Sequence, residues 1–222
     1  MRIIEKAAII KDWRAYAMEI ERKFLIPVLP VDLEEYPHYG IEQGYLSTSP
    51  VLRIRATTKP VLPTGNVERT RKIAAKLPSD VSVNEDTYTV VYKSGGLMAH
   101  IEETMPLTRE SYAHLKTKAD GKVIEKVRYV IPLEDGYRMD ADRRRDAGLP
   151  AQDPIDPPAK DLRIELDLFR NVEEADGSLL QMAEVEFPTE EAALRFIAPD
   201  WFGREVTNDT RYHNNTMSEQ LS

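Results

Sequence analysis

The chain contains no cysteine. That excludes disulfides, thiolate zinc sites and a cysteine nucleophile, and no disulfide calls for an oxidising compartment. Histidine is scarce: His38, His100, His114 and His213 have no spacing that makes a metal cluster. Tryptophan occurs only at Trp13 and Trp201. No apolar run approaches the roughly 18 residues of a membrane-spanning helix. The N-terminus shows neither the apolar region nor the cleavage site of a signal peptide, so a cytoplasmic protein that does not enter membranes is expected. Basic charge is in deficit, with 30 lysines and arginines against 38 aspartates and glutamates and a net charge of −8. That argues against a generic nucleic-acid-binding or anionic-membrane surface. It leaves room for a local basic site inside a tunnel.

What the chain has in plenty is charge in a particular arrangement. Charged residues make up 31% of its 222 positions and hydrophobic residues 41%, enough for a packed core in one large or two small domains. In Glu19-Ile20-Glu21-Arg22-Lys23, three charged residues stand two apart, and Ile20 and Phe24 fall on the other parity. In a strand, that spacing puts two carboxylates and an ammonium on one face. The pattern recurs at Arg53 and Arg55, at Lys93, at Glu102, at Lys126 and Arg128, at Glu165 and Asp167, and at Glu184 and Glu186. Two readings fit strict alternation of this kind. One is an antiparallel sheet with a solvated charged face and an apolar face packed on helices. The other is a closed barrel with the charges pointing inward and the apolar residues facing helices outside. Burying like charges alone is very costly, so the second needs acids, bases and bound ions together. Such an interior suits a polyanion clamped by arginine and lysine, with a divalent cation on the carboxylates.

The remaining signals set the order of elements. Residues 1–17 lie outside the alternation, as an N-terminal extension or as residues upstream of a start at Met18. Strands are expected at 18–29, 41–47, 51–57, 87–93, 98–105, 123–132, 162–169 and 180–187. Thr108 and Thr189 are N-caps for helices reaching about Ala119 and residue 197. Leu33 to Tyr36 reads as a short helical turn. The stretch 58–80, with Pro60, Pro63, Gly65 and Pro78, reads as an extended connection with one helical turn near Arg71 to Leu77. The stretch 134–160, with Gly136, Arg143-Arg144-Arg145 and four prolines, reads as a long irregular insertion. From Trp201 onward, short turns and a polar tail are expected.

The ordered set resembles the CYTH superfamily, the triphosphate tunnel metalloenzymes. Glu19-Ile20-Glu21-Arg22-Lys23 looks like its ExExK signature. The likeness continues through Ile41-Glu42-Gln43-Gly44-Tyr45-Leu46, Leu52-Arg53-Ile54-Arg55, Tyr92-Lys93, Lys126-Val127-Arg128-Tyr129, Glu165-Leu166-Asp167, Ala183-Glu184-Val185-Glu186-Phe187 and Trp201-Phe202-Gly203-Arg204-Glu205-Val206-Thr207. It is most similar to the bacterial branch whose members are often inorganic triphosphatases. The resemblance implies an α+β fold, an eight-stranded antiparallel β-barrel with a charged lumen and helices outside, over residues 18–217, with 218–222 as a tail. His100 stands where the family commonly has arginine, and Arg204 where lysine is common. The two insertions look longer than usual; they either cover a tunnel mouth or are solvated loops, and the second is expected.

The resemblance also implies roles. Glu19 and Glu21, with Glu184 and Glu186, would hold Mg²⁺ or Mn²⁺. Lys23, Arg53, Arg55, Lys93, Lys126, Arg128 and, less securely, Arg204 would bind phosphate oxygens; for Arg211 a surface role is as good. Glu102, Glu165 and Asp167 are lumen acids for a second metal or for orienting water, and His213 could touch the tunnel end. The implied reaction is attack by water on a terminal phosphorus of a linear triphosphate, foremost inorganic tripolyphosphate. Alternatives are a class IV-type adenylate cyclase, a thiamine or nucleoside triphosphatase, and a non-catalytic polyphosphate or nucleotide binder. The partner is a triphosphate-containing small molecule, with no nucleic acid and no membrane, and the family allows a homodimer.

Overall fold

The computed structural model describes residues 18–30, 32–64, 67–95, 99–148 and 162–220, with the side chains at 18, 19 and 93–102 also outside the description. The N-terminal extension 1–17 and the stretch 149–161 therefore lie outside the described residues. The elements are β1 (Met18–Leu25), β2 (His38–Thr48), β3 (Val51–Thr57), α1 (Val67–Ala74), β4 (Thr87–Gly95), β5 (Ala99–Pro106), α2 (Arg109–Lys116), β6 (Asp120–Pro132), α3 (Leu133–Asp146), β7 (Arg163–Glu173), β8 (Leu179–Phe187), α4 (Glu190–Arg195) and α5 (Asn214–Gln220). No helix among the described residues is long and apolar enough to cross a membrane.

The fold is α+β, with eight antiparallel strands in the order β1-β5-β4-β3-β2-β6-β7-β8. β1 pairs with β8 from Ile20 to Leu25, and with β5 only through Met18, Glu19 and Ile20. The sheet thus curls into a tunnel-like wall that approximates a barrel, with β1–β5 as its short seam.

Register sorts the side chains, because a strand's residues alternate between faces. On the outer face, Ile164, Leu166, Ala183 and Val185 are fully buried. They form one core with Ile73 of α1, Leu133 of α3, Ala193 of α4, and Phe196, Trp201 and Phe202. Each large apolar side chain buried there contributes about 1.5–3 kcal/mol. On the inner face, the charged residues give way toward one end to a second core of Tyr45, Ile124, Phe169, Leu180 and Met182. Val206 and Met217 complete this plug.

Two expectations are corrected. The insertion 134–160 is not irregular throughout, because Leu133–Asp146 forms α3. Glu134 and Asp135 open that helix and Arg143, Arg144 and Arg145 close it, the charge order that favours a helix dipole. Gly136 does not break it. A Cβ there would lie 2.5 Å from Ile164 Cδ1, so glycine lets the helix seat closely on β7. The chain end is not a loose tail either. α5 runs past the boundary expected at 217, with Met217 and Ser218 buried. The helix expected in 58–80 lies slightly earlier, at Val67–Ala74. Thr108 and Thr189 cap α2 and α4 as expected, accepting from the backbone N–H of Ser111 and Ala192.

Candidate functional site

The inner face of β1, β3, β6, β7 and β8 encloses a cavity of about 1030 Å³. Glu21 and Lys23 enter from β1, Arg53 and Arg55 from β3, Arg128 from β6, Glu165 from β7, and Glu184 and Glu186 from β8. The spacing that alternates along each strand therefore converges across strands, and the inward reading is the one observed.

Arg128 is the hub. Its Nε donates to Asp167 Oδ1 and its Nη2 to Asp167 Oδ2, both at 2.6 Å. Nη2 also donates to Glu184 Oε2 at 2.8 Å and Nη1 to Glu165. Lys23 Nζ lies 2.5 Å from Glu184 Oε1 and 2.9 Å from Glu21 Oε1. Burial works against the ammonium of Lys23, but Glu184 and Glu21 outweigh it and hold its pKa well above the usual lysine range. Burial likewise opposes the charge on Glu184, yet Lys23, Arg128 and Lys126 hold that carboxyl far below the usual range. The network is thus ionised on both sides, as a buried charged cluster must be to persist.

Lys126 and Asp167 sit behind this front, both side chains fully buried and 2.5 Å apart. Burial pushes the lysine down to about 8, more than Asp167 can offset. Lys126 is therefore a buried partner of Asp167 and does not line this cavity. Arg204 does not reach it either: it is exposed, its Nη2 donating to the Tyr212 hydroxyl at 2.9 Å and its Nη1 lying 3.5 Å from Asp209. Arg211 pairs with Asp209 at 2.6 Å. Asn214, next to His213, lines the cavity. The side chains of Glu19, Lys93 and Glu102 lie outside the described residues; their backbones place Glu19 opposite His100 and Lys93 opposite Glu102.

Two residues of the cavity, Arg163 and Asp80, and one buried neighbour, Gln43, carry no label in the sequence. Arg163 lines the cavity, its Nε donating to Glu165 Oε1 at 2.8 Å and its Nη2 to Glu186 Oε2 at 3.0 Å. It stands two before Glu165, so the same alternation signals it. Gln43 is fully buried on β2 opposite Arg55, and its Oε1 has no hydrogen-bond partner among the described residues. Asp80 reaches Arg55 Nη1 at 3.5 Å from the connection between α1 and β4, and no periodicity marks a loop residue.

Carboxylate oxygens on neighbouring strands are the donor set a hard divalent cation takes. Glu21 stands directly opposite Glu186 in the β1–β8 register, a like-charge pairing that is unfavourable without a cation between. The residues thus fit such an ion by chemistry. In this arrangement their carboxylates meet cationic side chains, Lys23 and Arg163. No ready-made cluster of three or more acidic or histidine ligands occurs among the described residues.

No family model matches the chain. It is 30% identical over 202 residues to the inorganic triphosphatase of Nitrosomonas europaea, an alignment covering 90% of this chain and 96% of that protein. A crystal structure of an inorganic triphosphatase superposes with a TM-score of 0.50 at 26% identity, covering 90% of this chain and 94% of that one. A crystal structure of a hypothetical protein gives 0.49 at 25% identity over 90% and 97%. With its charged inner face and this extent of identity, the chain belongs to the CYTH superfamily of triphosphate tunnel proteins, on the inorganic-triphosphatase-like branch.

Proposed function

We propose that the protein hydrolyses the terminal phosphate of a linear triphosphate, foremost inorganic tripolyphosphate, within the barrel and with Mg²⁺ or Mn²⁺ bound. The observation that carries this reading is the convergence of Lys23, Arg53, Arg55 and Arg128 with Glu21, Glu184 and Glu186 in one cavity. Its size suits a small polyanion, and the relative from Nitrosomonas europaea bears the matching activity in its name. Arg53 and Arg55 bind phosphate oxygens, their planar guanidinium groups offering paired donors, while Arg128, four of whose five N–H groups meet Asp167, Glu165 and Glu184, adds its charge and one remaining N–H. Lys23 adds a point charge at the junction of β1 and β8. Glu165 and Asp167 fix the Arg128 guanidinium, so its charge is held in place before substrate arrives. Glu21 and Glu186, with Glu184 and Glu19, would hold the cation, and Lys93 and Glu102 extend the inner face by register. When bound, the cation neutralises charge and polarises phosphate oxygens. Water attacks the terminal phosphorus in line with the leaving oxygen. Arg204 is left out of this assignment because it faces solvent.

The test is phosphate release from tripolyphosphate, ATP and thiamine triphosphate, with and without Mg²⁺ or Mn²⁺, while cyclic AMP is monitored. Metal-dependent release favouring tripolyphosphate is expected. Arg53→Met should lower kcat/KM by about 10²-fold, the scale of losing one preorganised donor. Cyclic AMP, or release only from an organic triphosphate, would replace this reading. Tight binding without turnover would make the protein a binder.

A further inference from the structure

The stretch 58–80 reads from sequence as a solvated loop, with a cover for the tunnel mouth as the alternative; its last residues and some that follow line the cavity. Between α1 and β4, Leu77 and Val81 pack against Tyr39, Ile41 and Val130 of the wall. A turn closes from the Val81 N–H to the Pro78 carbonyl at 3.1 Å. Thr87 Oγ1 donates to the Asp80 carbonyl at 3.0 Å, and the Lys59 N–H donates to Asp86 Oδ1 at 2.8 Å. The segment is a strap, pinned at both ends, and Asp80, Glu85 and Asp86 all line the cavity.

The strap bounds the charged zone. Along β6 the inner face reads Ile124 in the plug, then Lys126 and Arg128, then Val130 under the strap. Along β3, Arg53 stands opposite Tyr45 of the plug, Arg55 opposite Gln43, and Thr57 opposite Ile41, which the strap covers. On β3 the two cations that line the cavity span about 7 Å of rise, and on β6 Arg128 lines it with Lys126 behind. Apolar packing ends the zone on one side and a strap bearing three carboxylates ends it on the other.

From this we infer that the strap sets the length of phosphate chain the site accepts, with Asp80 and Glu85 as its specificity-determining residues. The inference rests on the triphosphatase reading of the same cavity. A short chain is held between the plug and Arg55. A longer chain leaves through the mouth, whose rim includes Asp80, which stands on Arg55, and Glu85, where phosphate meets like charge. Unit charges within about a Debye length of each other at a protein surface alter affinity by several-fold each.

The experiment compares tripolyphosphate with a linear polyphosphate of tens of phosphates, by calorimetric binding and by kcat/KM. Wild type, Asp80→Asn, Glu85→Gln and the double variant are measured. Glu103→Gln, which removes an exposed acid on β5 that does not line the cavity, controls for net charge. The double variant should shift both ratios toward the long chain by about 10-fold, and Glu103→Gln should leave them in place. Ratios unmoved by Asp80→Asn and Glu85→Gln, or moved equally by Glu103→Gln, overturn the role of the strap. Wild-type protein that binds tripolyphosphate without releasing phosphate removes the hydrolase reading, and the binding ratio still judges the strap. Binding of neither anion overturns both.

Discussion

Lys126, Arg128 and Asp167 show how much of the site is structural support. Asp167 is fully buried and receives donors from both cations. Removing it in Asp167→Ala leaves the buried Lys126 without its carboxylate partner and takes two bonds from Arg128, and should cost about 3–5 kcal/mol. Lys126→Met is different, because Arg128 keeps its two bonds to Asp167 and the methionine fills the space beside Phe169, whose ring centroid lies 5.1 Å from Lys126 Nζ. At neutral pH that variant should be as stable as wild type or more so. The reason is that the lysine pKa falls from 10.5 to about 8 on folding. Between those values the unfolded chain binds more protons than the folded one, so wild-type stability rises with pH through this window. Below about 8 the full cost of burying the ammonium is present. Denaturant unfolding of wild type and Lys126→Met across the window should show a slope in the first that is missing from the second. Parallel curves would mean that Lys126 keeps an ordinary pKa.

At the scale of elements, α5 decides whether the tunnel has a floor. Gly121 has φ +67°, and a Cβ on it would lie 2.6 Å from the Ser218 carbonyl oxygen. Ser218 Oγ donates to the Lys122 carbonyl at 2.7 Å, so β6 and α5 meet closely at this one turn. Gly121→Ala should cost about 1–3 kcal/mol through backbone strain, and Met217→Ala about 2–5 kcal/mol through the cavity left in the plug. Unfolding transitions unchanged in both variants would show that α5 does not seat there. The sequence conceals this helix for a physical reason. Its residues Asn214 to Gln220 include one apolar side chain, so no amphipathic stripe forms, and what it buries depends on a partner more than 90 residues earlier. The strands were legible because period-2 alternation is local and strict. α2 and α4 were legible because a threonine cap precedes each. α3 was hidden by Gly136 and by prolines that stand after its end, although its acid-first, base-last order was there to be read.

Over the whole molecule, parity along strands was enough to foretell that Glu21, Lys23, Arg53, Arg55, Arg128, Glu165, Glu184 and Glu186 share one face. It says nothing of depth, and so groups Lys126 with the cations of the cavity although its side chain lies behind them. It also said nothing of Asp80, which reaches the site from a loop, or of Arg204, which the chain's last turns carry outward. The same distribution leaves a molecule with net charge −8 whose cavity sets five cations among seven acids. An approaching polyanion therefore meets a repulsive field at long range, and attraction only where it comes within reach of Lys23, Arg53, Arg55 and Arg128 themselves. The reach of that outer field is about 30 Å at 0.01 M salt and about 10 Å at 0.1 M, whereas buried pairs are screened far less. Added salt should then speed association, by about 2- to 5-fold over that range, the reverse of what a basic protein shows with the same ligand. Stopped-flow binding of tripolyphosphate at fixed free divalent cation measures it. A rate that falls with salt would mean that the field at the mouth is already positive, and that the acids of the strap do not govern entry.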